Sequence, residues 1–277
     1  MRPVRLPASL DELWPLMAAQ PGAALMAGGT DLLVRMRRGL ADPEAIIGLE
    51  RVAELKTIAR REGWLRLGAC ATHQELIDHP LVAEHAPLLR QALLGLGSPP
   101  IRHMGSLGGN IVTASPAGDS LPPLFALAAE VELAWAGGDR RLPVAEFVTG
   151  PGRSALRPGE IVAAVWLPPS PGWQVQRWRK VGLRRALAIA VCSLAATVRL
   201  EADGRVAEAR LAWGSVAPCV VRPHAVEAML VGHRLDEARL REAGRALQAH
   251  ISPIDDLRAS AAYRRQVAAN LLLALLD

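Results

Sequence analysis

Cysteine is scarce: only Cys70, Cys192 and Cys219 occur, far apart and without a CxxC pair. An iron–sulfur cluster or structural zinc takes about four closely arranged ligands, which three scattered thiols do not supply. Their odd number also argues against a disulfide framework, so the three read as small core residues. The histidines show no HExxH or paired spacing, and no metal site is visible. Lysine is rarer still, with Lys56 and Lys180 alone. Phe and Tyr are few (2 and 1), which leaves little on which nucleic-acid bases could stack. The basic groups Arg35, Arg37, Arg38 and Arg177, Arg179, Lys180 are short. The net charge of +5 therefore points away from nucleic acid and toward acidic partner subunits or a bound diphosphate. No apolar run reaches the ~18 residues of a membrane span, and the most apolar stretch is broken by Arg184, Arg185 and Arg199. Asp11 and Glu12 follow Arg2 and Arg5 before a signal peptide's apolar region develops. The expectation is a cytoplasmic protein, unless it is exported with a partner that carries the signal.

What is present is ordinary globular composition, 51% hydrophobic and 21% charged over 277 residues, enough for one to three domains. Ser9 with Glu12 forms a capping box before a helix whose Leu10, Leu13, Trp14 and Met17 share one face. A short strand at 24–27 runs into Gly28-Gly29-Thr30, and helical spacing resumes at 31–38 with Gly39 as its stop. Strands follow at 45–49 and 64–69. Thr72 and Glu75 open a second capped helix to His79, and 82–97 reads as one helix closed by Pro99-Pro100. Residues 104–123, rich in Gly, Ser, Thr, Asn and Pro, read as a long functional loop. A helix at 124–129, a hairpin around Gly137-Gly138 and a strand at 160–167 complete the middle, and Pro168 to Gly172 is a joint. Strands at 174–181, 192–201 and 205–215 come next, the last two joined by Asp203-Gly204, then helices at about 223–231, 236–249 and 260–276. The fold class is α+β with mixed sheets.

Two stretches carry the chemistry. In Ala27-Gly28-Gly29-Thr30-Asp31 a glycine turn between strand and helix lets peptide N–H groups crowd a phosphate, with Thr30 as a hydroxyl donor. The same turn is also a common structural connector, and it is neither a P-loop nor a GxGxxG fingerprint. The Asp31 carboxylate would repel a diphosphate, so its side chain is expected to cap the helix. The second stretch, Gly105 to Asp119, embeds Gly108-Gly109-Asn110 among small polar side chains. Together the two suggest one extended dinucleotide clasped from two sides.

The combination AGGTDLLV and GSLGGNIVTASPAGDSLPPL closely resembles the FAD-binding (medium) subunit of the xanthine dehydrogenase and carbon monoxide dehydrogenase family of molybdenum hydroxylases. The Glu160–Pro168 strand and the Arg177-Trp178-Arg179-Lys180-Val181 run, with Arg184-Arg185-Ala186, extend the likeness over the chain. The resemblance implies a two-part FAD-binding domain of the vanillyl-alcohol-oxidase-like type over 1–168, with subdomains of about 1–55 and 56–168. A smaller sheet-plus-helices C-terminal domain over 169–277 follows. It implies FAD as cofactor, with Gly28, Gly29 and Thr30 on the pyrophosphate, aided by Ala27 and the Asp31 backbone. Ser106, Gly109, Asn110, Thr113 and Ser115 would line the second segment. Asp119 would anchor the flavin, Ile161 and Val162 would offer backbone beside the ring, and Lys180 would sit near the isoalloxazine. Without the resemblance, Lys180 reads as a strand lysine facing water and Asp119 as a helix cap. Leu96 falls where some relatives place an aromatic ring on the flavin, a departure that removes π stacking.

The implied partners are a large molybdenum-cofactor subunit and a small subunit with two 2Fe–2S clusters, with NAD or another acceptor taking the electrons. This chain shows no metal ligands and no nucleophile–base pair, so the cofactor carries the chemistry. Two alternatives remain at this point: a stand-alone FAD oxidase and a non-catalytic nucleotide-binding module. His103, near the second segment, reads as a turn residue rather than a site of covalent flavin attachment.

Overall fold

Three sheets in succession organise the chain in this computed structural model, which describes residues 2–277. Val4–Arg5, Ile46–Gly48 and Ala24–Met26 pair in that order as a small parallel sheet. The helix Leu10–Ala19 buries Leu13 against it. Ser9 caps this helix through the Glu12 N–H, while the Glu12 carboxylate turns to the Ala8 N–H, so the box closes one residue early.

The second sheet is antiparallel, ordered Ile58–Arg61, Trp64–Gly68, Ile161–Leu167, Glu130–Trp135 and Gly138–Pro143. Ile161–Leu167 is buried along its whole length, as its unbroken apolar run requires of a central strand. Its helices supply Leu76, Leu88, Leu89, Leu93, Leu107, Ile111 and Leu124 to the largest core. The third sheet, Val175–Val181, Cys192–Leu200 and Val206–Gly214, is antiparallel and backed by helices His224–Ala228, Glu237–Leu247 and Ala261–Asn270. Trp178, Ala195 and Ala212 of this sheet also enter the core of the second, so the two sheets share packing across the proline joint.

Several expectations fail here, each for a physical reason. The stretch expected as one helix at 82–97 is two, Pro80–His85 and Pro87–Leu94. Pro87 supplies no N–H and is costly inside a helix, but it suits a first turn. For the same reason Pro99-Pro100 begin a helix, Pro99–Met104, rather than closing one, and His103 lies in that helix. The expected long loop contains the helix Leu107–Thr113 and runs into a second, Leu121–Ala126, which begins inside it. Two glycines, Asn and three β-branched residues argue against helix by propensity. Leu107 and Ile111, one turn apart, are both fully buried in the core, and that packing prevails.

Candidate cofactor-binding site

The first glycine turn cannot be built from other residues. Gly29 has φ +69°, left-handed backbone that favours glycine. A Cβ on Gly28 would overlap the carbonyl of Met104. The turn is therefore pressed against the segment that leads into the second motif. No protein hydrogen bond uses the peptide N–H groups of Gly29, Thr30 or Asp31 among the described residues. Asp31 stands at the N-cap of Leu32–Arg37 but its carboxylate makes no capping hydrogen bond, contrary to expectation. The Asp31 side chain is exposed and leaves these donors uncapped.

The second segment behaves differently. Ser106 caps Leu107–Thr113 by accepting from the Gly109 N–H at 3.2 Å. The Leu107 and Gly108 N–H groups donate to Ala71 and Ala69 carbonyls at 3.1 and 2.8 Å. The Leu107, Gly108 and Gly109 N–H groups are therefore taken up within the fold, unlike those of the first segment. A Cβ on Gly108 would lie 2.6 Å from the Ala69 Cβ; one on Gly109 would meet only Ser106 Oγ at 3.1 Å. The second glycine thus faces open space. Side chains supply the remaining polarity: Thr113 Oγ1 donates to Gly109 O, and Asn110 Oδ1 accepts from Ser120 Oγ, leaving the Asn110 amide nitrogen without a partner in the chain.

Between the two segments lies a cavity of about 310 Å³. Ala27, Gly28, Gly29, Thr30, Asp31, Ser106, Gly109, Asn110 and Thr113 all line it, so nine of the residues singled out in the sequence converge. Arg35 brings a positive charge to the same wall. His73, which no sequence motif singles out, also lines this cavity; it sits inside the Thr72/Glu75 capping box. Burial, then the neighbouring Arg102 guanidinium, lowers its pKa to about 4, so the imidazole is neutral across the ordinary working range.

Asp119 and Lys180 form a second cluster. Lys180 Nζ donates to Asp119 Oδ2 at 2.6 Å and to the Gly95 carbonyl at 3.0 Å. Both side chains are about one-tenth exposed (12% and 9%), so Lys180 does not face water. Asp119 does not cap Leu121–Ala126, whose N-cap is Ser120. Burial raises the Asp119 pKa and the lysine opposes that rise. Asp119 Oδ1 is buried without a partner. The Gly95 contact places the pair beside Leu96, which is itself packed in the core. Ser115 accepts from the Ala117 N–H and lines a separate cavity of about 410 Å³ with Ile189 and Asp256. Ile161 and Val162 are buried in the central strand, their side chains in two different cores, and neither lines the glycine cavity.

Burial pushes the Cys70 and Cys192 thiols up to about 12, and neither lines the glycine cavity, so they are poor nucleophiles. No group of His, Cys, Asp and Glu suited to a metal ion occurs among the described residues, and no helix there is long and apolar enough to cross a membrane.

Residues 3–170 match the FAD binding domain in molybdopterin dehydrogenase, and residues 177–277 match the CO dehydrogenase flavoprotein C-terminal domain. The putative xanthine dehydrogenase FAD-binding subunit of Escherichia coli K12 is 32% identical over 93% of this chain and 88% of its own. The nicotine 6-hydroxylase medium subunit of Paenarthrobacter nicotinovorans is 30% identical, with 96% and 93% covered. In structure, quinoline 2-oxidoreductase from Pseudomonas putida 86 superposes with a TM-score of 0.94 at 27% identity, covering 100% of this chain and 95% of that one. Carbon monoxide dehydrogenase from Hydrogenophaga pseudoflava gives a TM-score of 0.93 at 28% identity, with 99% and 96% covered. The chain belongs to the FAD-binding subunit family of the xanthine dehydrogenase and carbon monoxide dehydrogenase type.

Proposed function

We propose that the chain binds FAD without a covalent link and carries electrons within a molybdenum hydroxylase. They arrive from a small subunit with two 2Fe–2S clusters, after substrate oxidation on a large molybdenum-cofactor subunit, and leave to NAD or another acceptor. The observation that supports this reading best is the cavity between the two glycine segments. Its first wall offers the free N–H groups of Gly29, Thr30 and Asp31 with Arg35 nearby, and its second offers Gly109 open to the ligand with Ser106, Asn110 and Thr113. Peptide donors beside a cation suit a diphosphate, so the residues present fit the cofactor.

In this reading the first segment, from Ala27 to Asp31, holds the pyrophosphate, and Ser106, Gly109, Asn110, Thr113 and Ser115 follow the rest of the molecule. Asp119 and Lys180 stand on the flavin side, with the backbone of Ile161 and Val162 beside them. The unpartnered Asp119 Oδ1 supports this placement, because a buried acceptor without a donor costs free energy until a ligand fills it. Bound FAD supplies the exchange between one-electron and two-electron transfer. The chain's own residues orient it and set the charge around it, Lys180 being partly neutralised by Asp119. Residues 1–168, divided near 55, form the FAD-binding domain and 169–277 the C-terminal one; the change of sheet across Pro168 to Gly172 favours that division. The compartment in this reading is the cytoplasm.

Anaerobic mixing of NADH with the flavin-loaded chain tests the acceptor. Bleaching of the flavin without the other subunits supports NAD; no bleaching while an artificial reductant still reduces it assigns a different acceptor. Turnover of a purine, aldehyde or aromatic heterocycle by the lone chain would restore the stand-alone oxidase.

A further inference from the structure

The His73 imidazole is buried, 2% exposed, yet serves no partner in the fold. Its helix, His73–Asp78, is held by the full Thr72/Glu75 capping box, and the His73 backbone N–H donates to the Gly105 carbonyl at 2.9 Å. That bond ties the residue to the segment pressed on the Gly28 turn. A Cβ built on Gly105 would lie 3.2 Å from His73 Cδ2 and 3.3 Å from Thr30 Oγ1, so both side chains converge on one point of the cavity wall. Nδ1 is sealed from solvent without a hydrogen bond.

An enclosed N–H without an acceptor is rarer and more costly than an enclosed lone pair. The proton therefore resides on Nε2, bonded to Cδ2 on the ring edge that approaches Gly105 and Thr30. Arg102, whose charge bears on the ring, is occupied by Gln74 and by the Leu94 and Leu96 carbonyls, so it opposes protonation of the ring without competing for the ligand.

We propose that His73 is a cofactor-binding residue that donates Nε2–H, beside the Thr30 hydroxyl, to a phosphate oxygen of the bound dinucleotide. This rests on the assignment of FAD to the glycine cavity. The neutral ring adds a directed hydrogen bond without adding a charge to a wall that already carries Arg35.

The test titrates the apo-form of the full chain with FAD and, separately, with riboflavin, which has the ring system but no phosphate. His73→Phe keeps a buried ring and removes the donor. FAD affinity should fall roughly 10- to 100-fold, the range for a hydrogen bond to a charged group, while riboflavin affinity stays the same. Two further variants carry the test independently of the Phe variant's folding. His73→Gln, whose amide nitrogen reaches the Nε2 position, should retain FAD affinity; His73→Asn, which reaches only the Nδ1 position, should lose it. Equal weakening for FAD and riboflavin, unchanged FAD affinity in the Phe variant, or loss in Gln with retention in Asn overturns the proposal. A wild-type chain that takes up no FAD instead refutes the underlying assignment.

Discussion

Two adjacent glycines, Gly108 and Gly109, should fail in opposite ways when a side chain is added. At Gly108 a Cβ would lie 2.6 Å from Ala69 Cβ and 2.8 Å from Ala69 O, where ordinary contact between carbons is roughly 3.5–4.0 Å. The helix Leu107–Thr113 would have to part from the strand end by about 1 Å. Overpacking of that kind costs about 1–3 kcal/mol, and alanine's better helix propensity returns about 0.5–1 kcal/mol. Gly108→Ala should therefore destabilise the apo-chain by up to about 2.5 kcal/mol. At Gly109 the added Cβ meets only the Ser106 hydroxyl at 3.1 Å, so Gly109→Ala should leave apo stability within about 1 kcal/mol of wild type. Gly109→Val projects a branched side chain into the cavity from an exposed position, and FAD uptake should be lost while the circular dichroism spectrum is kept. The backbone at Gly109 is not left-handed, so strain does not enter. Urea melts of the apo-chains and FAD titrations separate the effects. Wild-type FAD affinity in Gly109→Val would refute close approach at this position. A stable Gly108→Ala variant that loses FAD would show that the two glycines have been assigned the wrong way round.

Further outcomes follow from the buried charges. Lys180→Ala leaves Asp119 without its cation and should cost about 3–5 kcal/mol in urea unfolding, most of which Lys180→Met with Asp119→Asn recovers. Burial raises the Asp119 pKa and Lys180 opposes that rise, so removing the lysine leaves burial unopposed and raises the pKa further. The Lys180→Ala defect should therefore grow as pH rises above the unfolded value of about 3.9. In the flavin-loaded chain Asp119→Asn should raise the midpoint potential and Lys180→Ala should lower it; unchanged potentials in both would place the pair away from the ring. Asp256 is the opposite case: the Arg258 N–H, then that of Ala259 and the Arg264 and Arg258 side chains, hold its pKa far below the usual carboxylate range. Its contribution is present above the unfolded value of about 3.9 and disappears as pH falls below it. Asp256→Asn should thus lower the thermal midpoint at neutral pH and flatten its fall in acid; an unchanged acid profile would refute this linkage.

Much of the fold could be read in the sequence because its signals were local and consistent. The alternation and turn residues of the last three strands, the unbroken apolar strand before Pro168 and the Thr72/Glu75 box each correspond to observed elements. Residues 107–113 did not, because their composition favours a loop and only burial of Leu107 and Ile111 makes them helical. The glycine motifs gave the cavity's main walls, but His73 enters through tertiary contact with Gly105, which no spacing encodes. Lys180 and Asp119 lie 61 residues apart, and their pairing likewise follows only from the sheet's position.

The most direct test of the account is the flavin content of the wild-type chain, reconstituted with FAD, freed of excess and then precipitated with acid. Equimolar flavin released into the supernatant, identified by mass spectrometry as intact FAD, is the predicted result. Flavin that stays with the washed pellet would contradict the non-covalent site, and a chain that retains no flavin at all would contradict the assignment of the glycine cavity to FAD.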